Sequence, residues 1–249
     1  MRRIGDRRVV VTGLGLVTPL GTGIEKNWEA LMAGRSGIGP ITRFDVSDFA
    51  ARIAGEVRDF DPHDWIEKKD VKKMDLFIQY ALGAAEQAMR QSALKIDESN
   101  ADRVGVLVGV GIGGLLTIEE NHLLFLDTRL KRITPFFIPK LISNLAPGQI
   151  AIRYGARGIN LSTTSACASS SHAVGEAYRM IRDGYLDAAI TVASHLSPLF
   201  LSRSLQRFIL YQKRPGKQPG DNECELSCEH GESSSDARRA HAGRQPVLI

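Results

Sequence analysis

The sequence predicts an α/β fold in which a mixed, largely parallel sheet is flanked by helices. Strand-like and helix-like segments alternate over residues 1–193, and the strand-like segments are apolar along their whole length. Continuous apolar strands are typical of a sheet buried on both faces, and alternation with helices is typical of parallel connections. With 249 residues, the chain is long enough to bury a substantial core.

The first predicted element is a buried strand over residues 9–13, where three valines precede Thr12 and Gly13. A helix follows over 24–34, in which Trp28 and Leu31 share a face with Met32 and Gly34 is the stop. The clearest helix is predicted over 69–92, because its apolar residues recur at the helical period.

The remaining elements continue the alternation. Strands are predicted over 104–109, 159–163 and 188–193, where short apolar runs are bounded by glycine or small polar residues. Helices are predicted over 139–154, with a bend at Pro147, and over 167–183, which ends at Gly184. The sequence contains no short internal repeat.

Composition excludes several classes of protein. The net charge of +4 is small and dispersed, which argues against a nucleic-acid partner. No apolar run reaches the length of a membrane helix, and the basic N-terminus lacks the apolar block of a signal peptide. We therefore expect a cytoplasmic protein without a membrane partner.

Residues 194–249 differ in character from the rest. Between 212 and 245 almost no apolar residue remains, so this stretch cannot offset the entropy of ordering its backbone. We expect an unstructured tail, with a composition that also suits an out-of-frame segment. Cys224, Cys228 and His230 offer three metal ligands where a structural zinc site uses four, so no metal site is predicted.

Cys167 lies in a segment of small residues between a predicted strand and a predicted helix. The start of a helix presents unpaired backbone amides and a partial positive charge, which favour a thiolate and an oxyanion beside it. Ala166 and Ala168 leave room for a substrate to approach. On these residues alone, a nucleophile and a buried structural cysteine both remain open.

The segment 164–169 resembles the nucleophile motif of the β-ketoacyl-acyl carrier protein synthases, closest to their elongating synthase II branch. Further segments are similar to that family in the same order, namely residues 9–15, 18–21, 109–114, 135–139 and 183–189. The resemblance covers about 8–193 and implies the N-terminal half of a thiolase-like fold. It also implies a homodimer, acyl carrier protein as partner, and a decarboxylating Claisen condensation in fatty acid synthesis without a cofactor.

The resemblance also implies roles for particular residues. Cys167 is the nucleophile, and Ile112, Phe137 and Ala166 are expected to line the acyl pocket, Phe137 from the dimer interface. Lys69, Lys72 and Lys73 are expected to dock the acidic carrier protein from one helix face, although a solvated face is the alternative.

His172 is predicted to be structural, because a residue five positions after Cys167 points about 140° away on a helix. The sequence departs from the family after Ala193, where it has Ser194 and His195 in place of a glycine pair. The family takes two catalytic histidines and a lysine from its second half, so no catalytic role is assigned to His195, His230 or His241.

We therefore expect a truncated, catalytically impaired synthase. The alternative is a non-catalytic protein that dimerises or binds carrier protein. A polyketide chain-length partner is a third interpretation, against which Cys167 argues.

Overall fold

The computed structural model describes residues 7–128 and 133–194, together with the backbone of 247–248. Its strands are β1 (Val10–Val11), β2 (Val17–Thr18), β3 (Gly21–Thr22), β4 (Ile38–Pro40), β5 (Ile53–Gly55), β6 (Val104–Val110), β7 (Asn160–Thr163), β8 (Ala188–Ser194) and β9 (Val247–Leu248). Five of these form one parallel sheet in the order β1-β9-β8-β6-β7. The pairs β2–β3 and β4–β5 are antiparallel.

The helices of the described residues are α1 (Ile24–Met32), α2 (Lys68–Val71), α3 (Leu76–Ser92), α4 (Leu115–Thr128), α5 (Phe137–Leu141), α6 (Leu145–Tyr154) and α7 (Ser169–Arg182). Short 3₁₀ turns occupy Pro62–Asp64, Ala101–Arg103 and Ala166–Ala168. None of the helices in the described ranges is both long and apolar enough to cross a bilayer.

The sheet has helices on both faces. Every residue of β6 is buried. On one face Val106, Val108 and Ile190 pack with apolar residues of α3 and α6. On the other face Leu107 and Ala189 pack with α7. The predicted largely parallel sheet is therefore confirmed, and the continuous apolar character of β6 reflects burial on both sides.

The single helix predicted over 69–92 is wrong, because the chain breaks between α2 and α3. Asp75 has an extended backbone and its side chain accepts a hydrogen bond from the N–H of Phe77, so α3 begins after it. The amide of Gln79 donates to the carbonyls of Val71 and Met74, which have left the helical hydrogen-bond pattern. Two side chains thus satisfy the backbone groups that the break exposes.

The helix predicted over 139–154 is also two helices, and the break is not at Pro147. It lies between Leu141 and Leu145, where Ile142 is extended. Pro147 is the third residue of α6, in a turn whose N–H groups have no helical acceptor, so the missing N–H of proline costs nothing there.

One expectation about burial is wrong at the edge of the fold, and it concerns β1. β1 is shorter than the predicted strand, and Val11 is exposed because β1 is an edge strand of the described sheet. In α1 the shared face of Trp28, Leu31 and Met32 is exposed. The buried face instead carries Asn27, whose amide donates to the carbonyls of Gly21 and Gly23 at 2.7 Å.

The predicted unstructured tail lies largely outside the described residues, as do His195, Cys224, Cys228, His230 and His241. Its residues Val247 and Leu248 differ from the prediction, because they form β9 between β1 and β8. Both are apolar, which suits a strand inside a sheet.

Candidate active site

Cys167 lies in the 3₁₀ turn Ala166–Ala168, between the end of β7 and the start of α7. Its side chain is exposed. The alternative of a buried structural cysteine is therefore excluded. Because β6, β7 and β8 are parallel, their carboxyl ends meet at this edge of the sheet, which is the usual place for a site in an α/β fold.

Ala166 has a φ of 52°, in the left-handed region that a residue with a Cβ rarely adopts. Such a backbone costs of order 1 kcal/mol and persists where the surrounding structure holds it. The turn in the chain directly before Cys167 therefore stores some strain and is firmly fixed.

Ser169, the first residue of α7, holds this turn and is fully buried. Its hydroxyl accepts a hydrogen bond from the N–H of Ser165 at 2.8 Å and donates one to the carbonyl of Ala166 at 2.7 Å. The hydroxyl of Thr163 donates to the carbonyl of Ser169 at 2.8 Å. These three bonds bracket Cys167 on both sides, and we call residues 163–169 the elbow.

Gly109 of β6 lets the elbow approach the sheet. A Cβ at this position would lie 2.5 Å from the carbonyl carbon of Ser169 and from the nitrogen of Ser170. Both are backbone atoms, which cannot move aside by a rotamer change. The start of α7 therefore rests directly on the β6 backbone, and this contact sets the height of Cys167 above the sheet.

His172 shares a 2.6 Å hydrogen bond between its Nδ1 and the hydroxyl of Ser165. The predicted structural role of His172 agrees with this contact, because Ser165 belongs to the elbow and the bond joins the elbow to the second turn of α7.

A glycine loop, residues 111–114, lies beside the elbow. The N–H of Gly111 donates to the carbonyl of Ser194 at 3.2 Å, and the N–H of Gly114 donates to the carbonyl of Leu141 at 3.0 Å. Ile112, at the middle of the loop, is 42% exposed. The loop is thus fastened at both ends while Ile112 remains accessible.

The family model of the β-ketoacyl synthase N-terminal domain matches residues 6–202, which include the elbow and the glycine loop. The chain belongs to the β-ketoacyl synthase family. The predicted resemblance to this family is thereby confirmed, and the role of Cys167 as the nucleophile stays a prediction.

Two curated synthases illustrate the similarity. The 3-oxoacyl-[acyl-carrier-protein] synthase 2 of Synechocystis sp. is 48% identical over 190 residues, which are 76% of this chain and 46% of that protein. The enzyme of the same name from Coxiella burnetii is 47% identical over 191 residues, covering 77% and 46%. The chain spans about half the length of the curated relatives it matches.

Solved structures confirm the thiolase-like synthase fold. The ishigamide ketosynthase/chain length factor has a TM-score of 0.73 and 30% identity, covering 81% of this chain and 51% of that chain. A β-ketoacyl synthase from Burkholderia phymatum STM815 has a TM-score of 0.60 and 29% identity, covering 71% and 44%.

The other predicted pocket residues lie at the same edge of the sheet. Ala166 is in the elbow and exposed, and Phe137 begins α5 and is half-buried. The hydroxyls of Thr164 and Ser143 are 3.4 Å apart, which links the elbow to the segment that follows α5. The roles of Ile112, Phe137 and Ala166 in an acyl pocket stay predictions.

The three predicted docking lysines do not share one helix face. Lys69 lies in α2, Lys72 follows as its C-cap, and Lys73 comes after the helix has ended. Lys69 pairs with Glu67 and Lys73 pairs with Asp70, each at 2.7 Å. No ion pair involves Lys72 in the part of the chain that the structure describes. The ammonium of Lys73 also lies 5.8 Å from the centre of the Phe136 ring.

A groove of about 540 Å³ opens among the turn Pro62–Asp64, α2, α3 and α6, with His63, Glu67, Asp70 and Arg153 in its walls. Since α3 and α6 cover the face of the sheet opposite to α7, this groove is separate from the elbow. Within residues 7–128 and 133–194, no cluster of three His, Cys, Asp or Glu side chains could hold a metal ion.

Sequence reasoning predicted Cys167 but missed the contacts of three residues: Ser169 and Gly109, which hold the elbow, and Asp75, which caps α3. Ser169 carries a weak signal, since serine is favoured where a helix begins. The other two act through contacts with distant parts of the chain, which no local pattern records.

Proposed function

We propose that this chain is the nucleophile-bearing part of a 3-oxoacyl-[acyl-carrier-protein] synthase, with residues 1–193 as its synthase unit. The observation that supports the proposal best is the exposed Cys167 on a fixed elbow at the carboxyl edge of the sheet. The names and sequences of the curated relatives support the same reaction.

The first step is acyl transfer. The Sγ of Cys167 attacks the carbonyl carbon of an acyl-carrier protein thioester, and the negative charge moves to the carbonyl oxygen. We expect backbone N–H groups at the start of α7, which begins at Ser169, to stabilise this oxyanion. The oxyanion then collapses, the bond to the pantetheine sulfur breaks, and that thiol leaves with the proton of Cys167.

The second step is condensation. A malonyl-carrier protein loses carbon dioxide, and the carbanion that remains attacks the acyl carbonyl on Cys167. The new carbon–carbon bond forms as the Cys167 thiolate leaves. The oxidation states balance without an external oxidant or reductant, so the step requires no redox cofactor.

Acyl carrier protein is the proposed partner. A solved ketosynthase with a TM-score of 0.66 and 22% identity, covering 79% of this chain and 54% of that chain, was determined with its own acyl-carrier protein. The three lysines form a basic segment, and Lys72 is the member with no ion pair among the described residues. Exposed charges act mainly on the encounter rate and orientation of a partner.

Lys72→Ala tests this docking surface, with Lys95→Ala as the control because Lys95 is also exposed and has no ion pair among the described residues. We expect Lys72→Ala to raise the Kd for acyl-carrier protein by up to about fivefold at low salt, as an exposed charge pair allows. Lys95→Ala should leave the Kd unchanged. Equal effects of the two substitutions would contradict docking at Lys72.

A second copy of the chain is the other proposed partner. In the described sheet β7 pairs only with β6, so one edge of β7 is open, and its residues Asn160 and Leu161 are exposed. An open strand edge with an apolar residue is a site for strand pairing. Analytical ultracentrifugation of the wild type and of Leu161→Lys tests this proposal. We expect the wild type to sediment as a dimer and Leu161→Lys to dissociate more readily.

The decisive experiment incubates the full chain with acyl- and malonyl-carrier protein, with Cys167→Ala as the control. Mass spectrometry of the Cys167 peptide reports acyl transfer, and ketoacyl product reports condensation. Acylation together with product supports both steps. Acylation without product supports acyl transfer and contradicts condensation by this chain, and no acylation of Cys167 overturns the proposal.

A further inference from the structure

Asp75 has a buried carboxyl group that contacts two separate helices. Only 6% of the residue is exposed. Its Oδ1 accepts from the N–H of Phe77 at 3.4 Å, in the first turn of α3. Its Oδ2 accepts from the N–H of Thr117 at 3.2 Å and from the hydroxyl of Thr117 at 2.6 Å, in the first turn of α4. One side chain therefore caps the N-termini of both helices.

Each of these two helices begins just after a different part of the proposed site. Asp75 follows Lys72 and Lys73 of the proposed docking segment by three and two residues. Thr117 follows the glycine loop, whose middle residue is Ile112. The hydrogen bonds between Asp75 and Thr117 thus join the docking segment directly to the loop beside the elbow.

The glycine loop packs too closely against Asp75 and the end of α5 to admit a side chain at Gly113 or Gly114. A Cβ on Gly114 would lie 3.1 Å from Oδ2 of Asp75 and 2.5 Å from the carbonyl oxygen of Lys140. Gly113 has a φ of 98°, and a Cβ there would lie 2.7 Å from the carbonyl oxygen of Leu141. The loop is therefore confined between Asp75 and the end of α5.

A second contact also joins the docking segment to the proposed pocket. The ammonium of Lys73 lies over the ring of Phe136, which directly precedes α5. The segment between α2 and α3 consequently touches both walls of the proposed acyl pocket, the glycine loop through Asp75 and the start of α5 through Lys73.

We propose that Asp75 is a positioning residue that fixes the glycine loop, and with it Ile112, for a long acyl chain. The inference rests on the proposed acyl transfer to Cys167. Asp75 itself touches neither the thiol nor the acyl group. It acts through Thr117, and its loss releases the wall of the pocket while the elbow stays in place.

The test changes Thr117, because removing the buried Asp75 would leave two helix ends without a cap. Thr117→Val keeps the shape of the side chain and removes the hydroxyl that donates to Asp75. Thr117→Ser keeps the hydroxyl and serves as the matched control. Thermal unfolding confirms that both variants are folded at the assay temperature.

Each protein is acylated with butyryl- and palmitoyl-pantetheine, which bypass carrier docking, and the rate on Cys167 is measured. We expect Thr117→Val to slow palmitoyl transfer about tenfold, the effect of losing one charge-assisted hydrogen bond, and butyryl transfer less than about twofold. Thr117→Ser should keep the wild-type ratio of the two rates. Equal slowing of both substrates by Thr117→Val would mean a purely structural role and would overturn the proposal.

Hydrogen exchange of the amides of 111–118 provides a readout that needs no acylation. We expect faster exchange in Thr117→Val than in the wild type and Thr117→Ser. Unchanged exchange overturns the positioning role of Asp75. If the wild type is not acylated, the proposed function fails, and the role of the loop in an acyl pocket fails with it. Faster exchange in Thr117→Val would still show that the contact with Asp75 fixes the loop.

Discussion

Gly109→Ala is the substitution that most directly tests how the elbow is built. The added Cβ would lie 2.5 Å from two backbone atoms of Ser169 and Ser170. This is about 1 Å closer than carbon atoms approach at their optimum. Because neither neighbour is a side chain that can rotate away, α7 or β6 must shift by a distance of that order.

The expected cost follows from that shift. Overfilling a packed site destabilises a protein by about 1–3 kcal/mol, and a backbone obstacle places this case near the upper value. A displacement of about 1 Å at a reacting group lowers rates by about 100-fold. Gly109→Ala should therefore lower both the free energy of unfolding and the rate of acyl transfer to Cys167.

Urea unfolding measures the first quantity, and mass spectrometry of the acylated Cys167 peptide measures the second. Gly175→Ala is the matched control, because Gly175 is in the same helix and a Cβ there meets no atom within 4 Å. That substitution should stabilise α7 by about 0.5–1 kcal/mol. The reasoning is refuted if Gly109→Ala is as stable as the wild type, or if it transfers acyl groups at the wild-type rate.

Three further substitutions test the framework. Burial alone would raise the pKa of Glu86, but the hydrogen bond from Tyr154 and the charges of Arg153 and Arg90 hold it below its ordinary value. This pairing stabilises the fold above the unfolded-state pKa and is lost as the pH falls through the lowered folded-state pKa. Urea unfolding of Glu86→Gln should therefore show a shallower loss of stability below about pH 5 than the wild type. Tyr154→Phe removes the 2.5 Å bond to Glu86 and should cost about 1–2 kcal/mol in the same assay at neutral pH. Ala166→Val should cost about 1–3 kcal/mol, because a β-branched residue is strained at a φ of 52°, whereas Ala166→Gly should stay close to the wild type.

Each of these three predictions would be contradicted by a specific result. An unchanged pH profile for Glu86→Gln would mean that the carboxyl is not held ionised by its neighbours. A Tyr154→Phe variant as stable as the wild type would show that water replaces the lost bond without cost. Equal stability of Ala166→Val and Ala166→Gly would show that the elbow does not impose the left-handed backbone.

The central strands were predictable because buried strands are composed mainly of apolar and small residues. β6 is buried along its whole length and β8 along most of it, so nearly every residue is apolar or small, and the sequence displays a continuous run. β1 was predicted too long and too buried, since an edge strand with the same valines has neighbours on one side only.

The helix breaks could not be found from periodicity. Apolar residues recur on both sides of the break before Asp75, so the pattern continues where the backbone does not. The break depends on the side chains of Asp75 and Gln79, which satisfy the exposed backbone groups. A carboxylate directly before an apolar run is a start signal for a helix, but the same residue type occurs inside many helices.

The candidate site divides in the same way. The motif at 164–169 predicted which cysteine is the nucleophile, whereas the contacts that position this cysteine join residues far apart in the chain. Gly109 meets the start of α7, and Asp75 meets Thr117 from 42 residues away. Such pairs depend on the packed fold, so a single sequence contains no local record of them.

The two proposed steps depend on the elbow to different extents. Ser169 bonds on both sides of Cys167, and Gly109 seats the start of α7 on the sheet, so residues within the described ranges suffice to fix the thiol. Acyl transfer needs this thiol and nearby amide donors. Condensation needs in addition groups that stabilise the carbanion left by decarboxylation, and His172 is already bonded to Ser165. Acyl transfer should therefore respond to substitutions at Gly109 and Ser169 whether or not condensation follows.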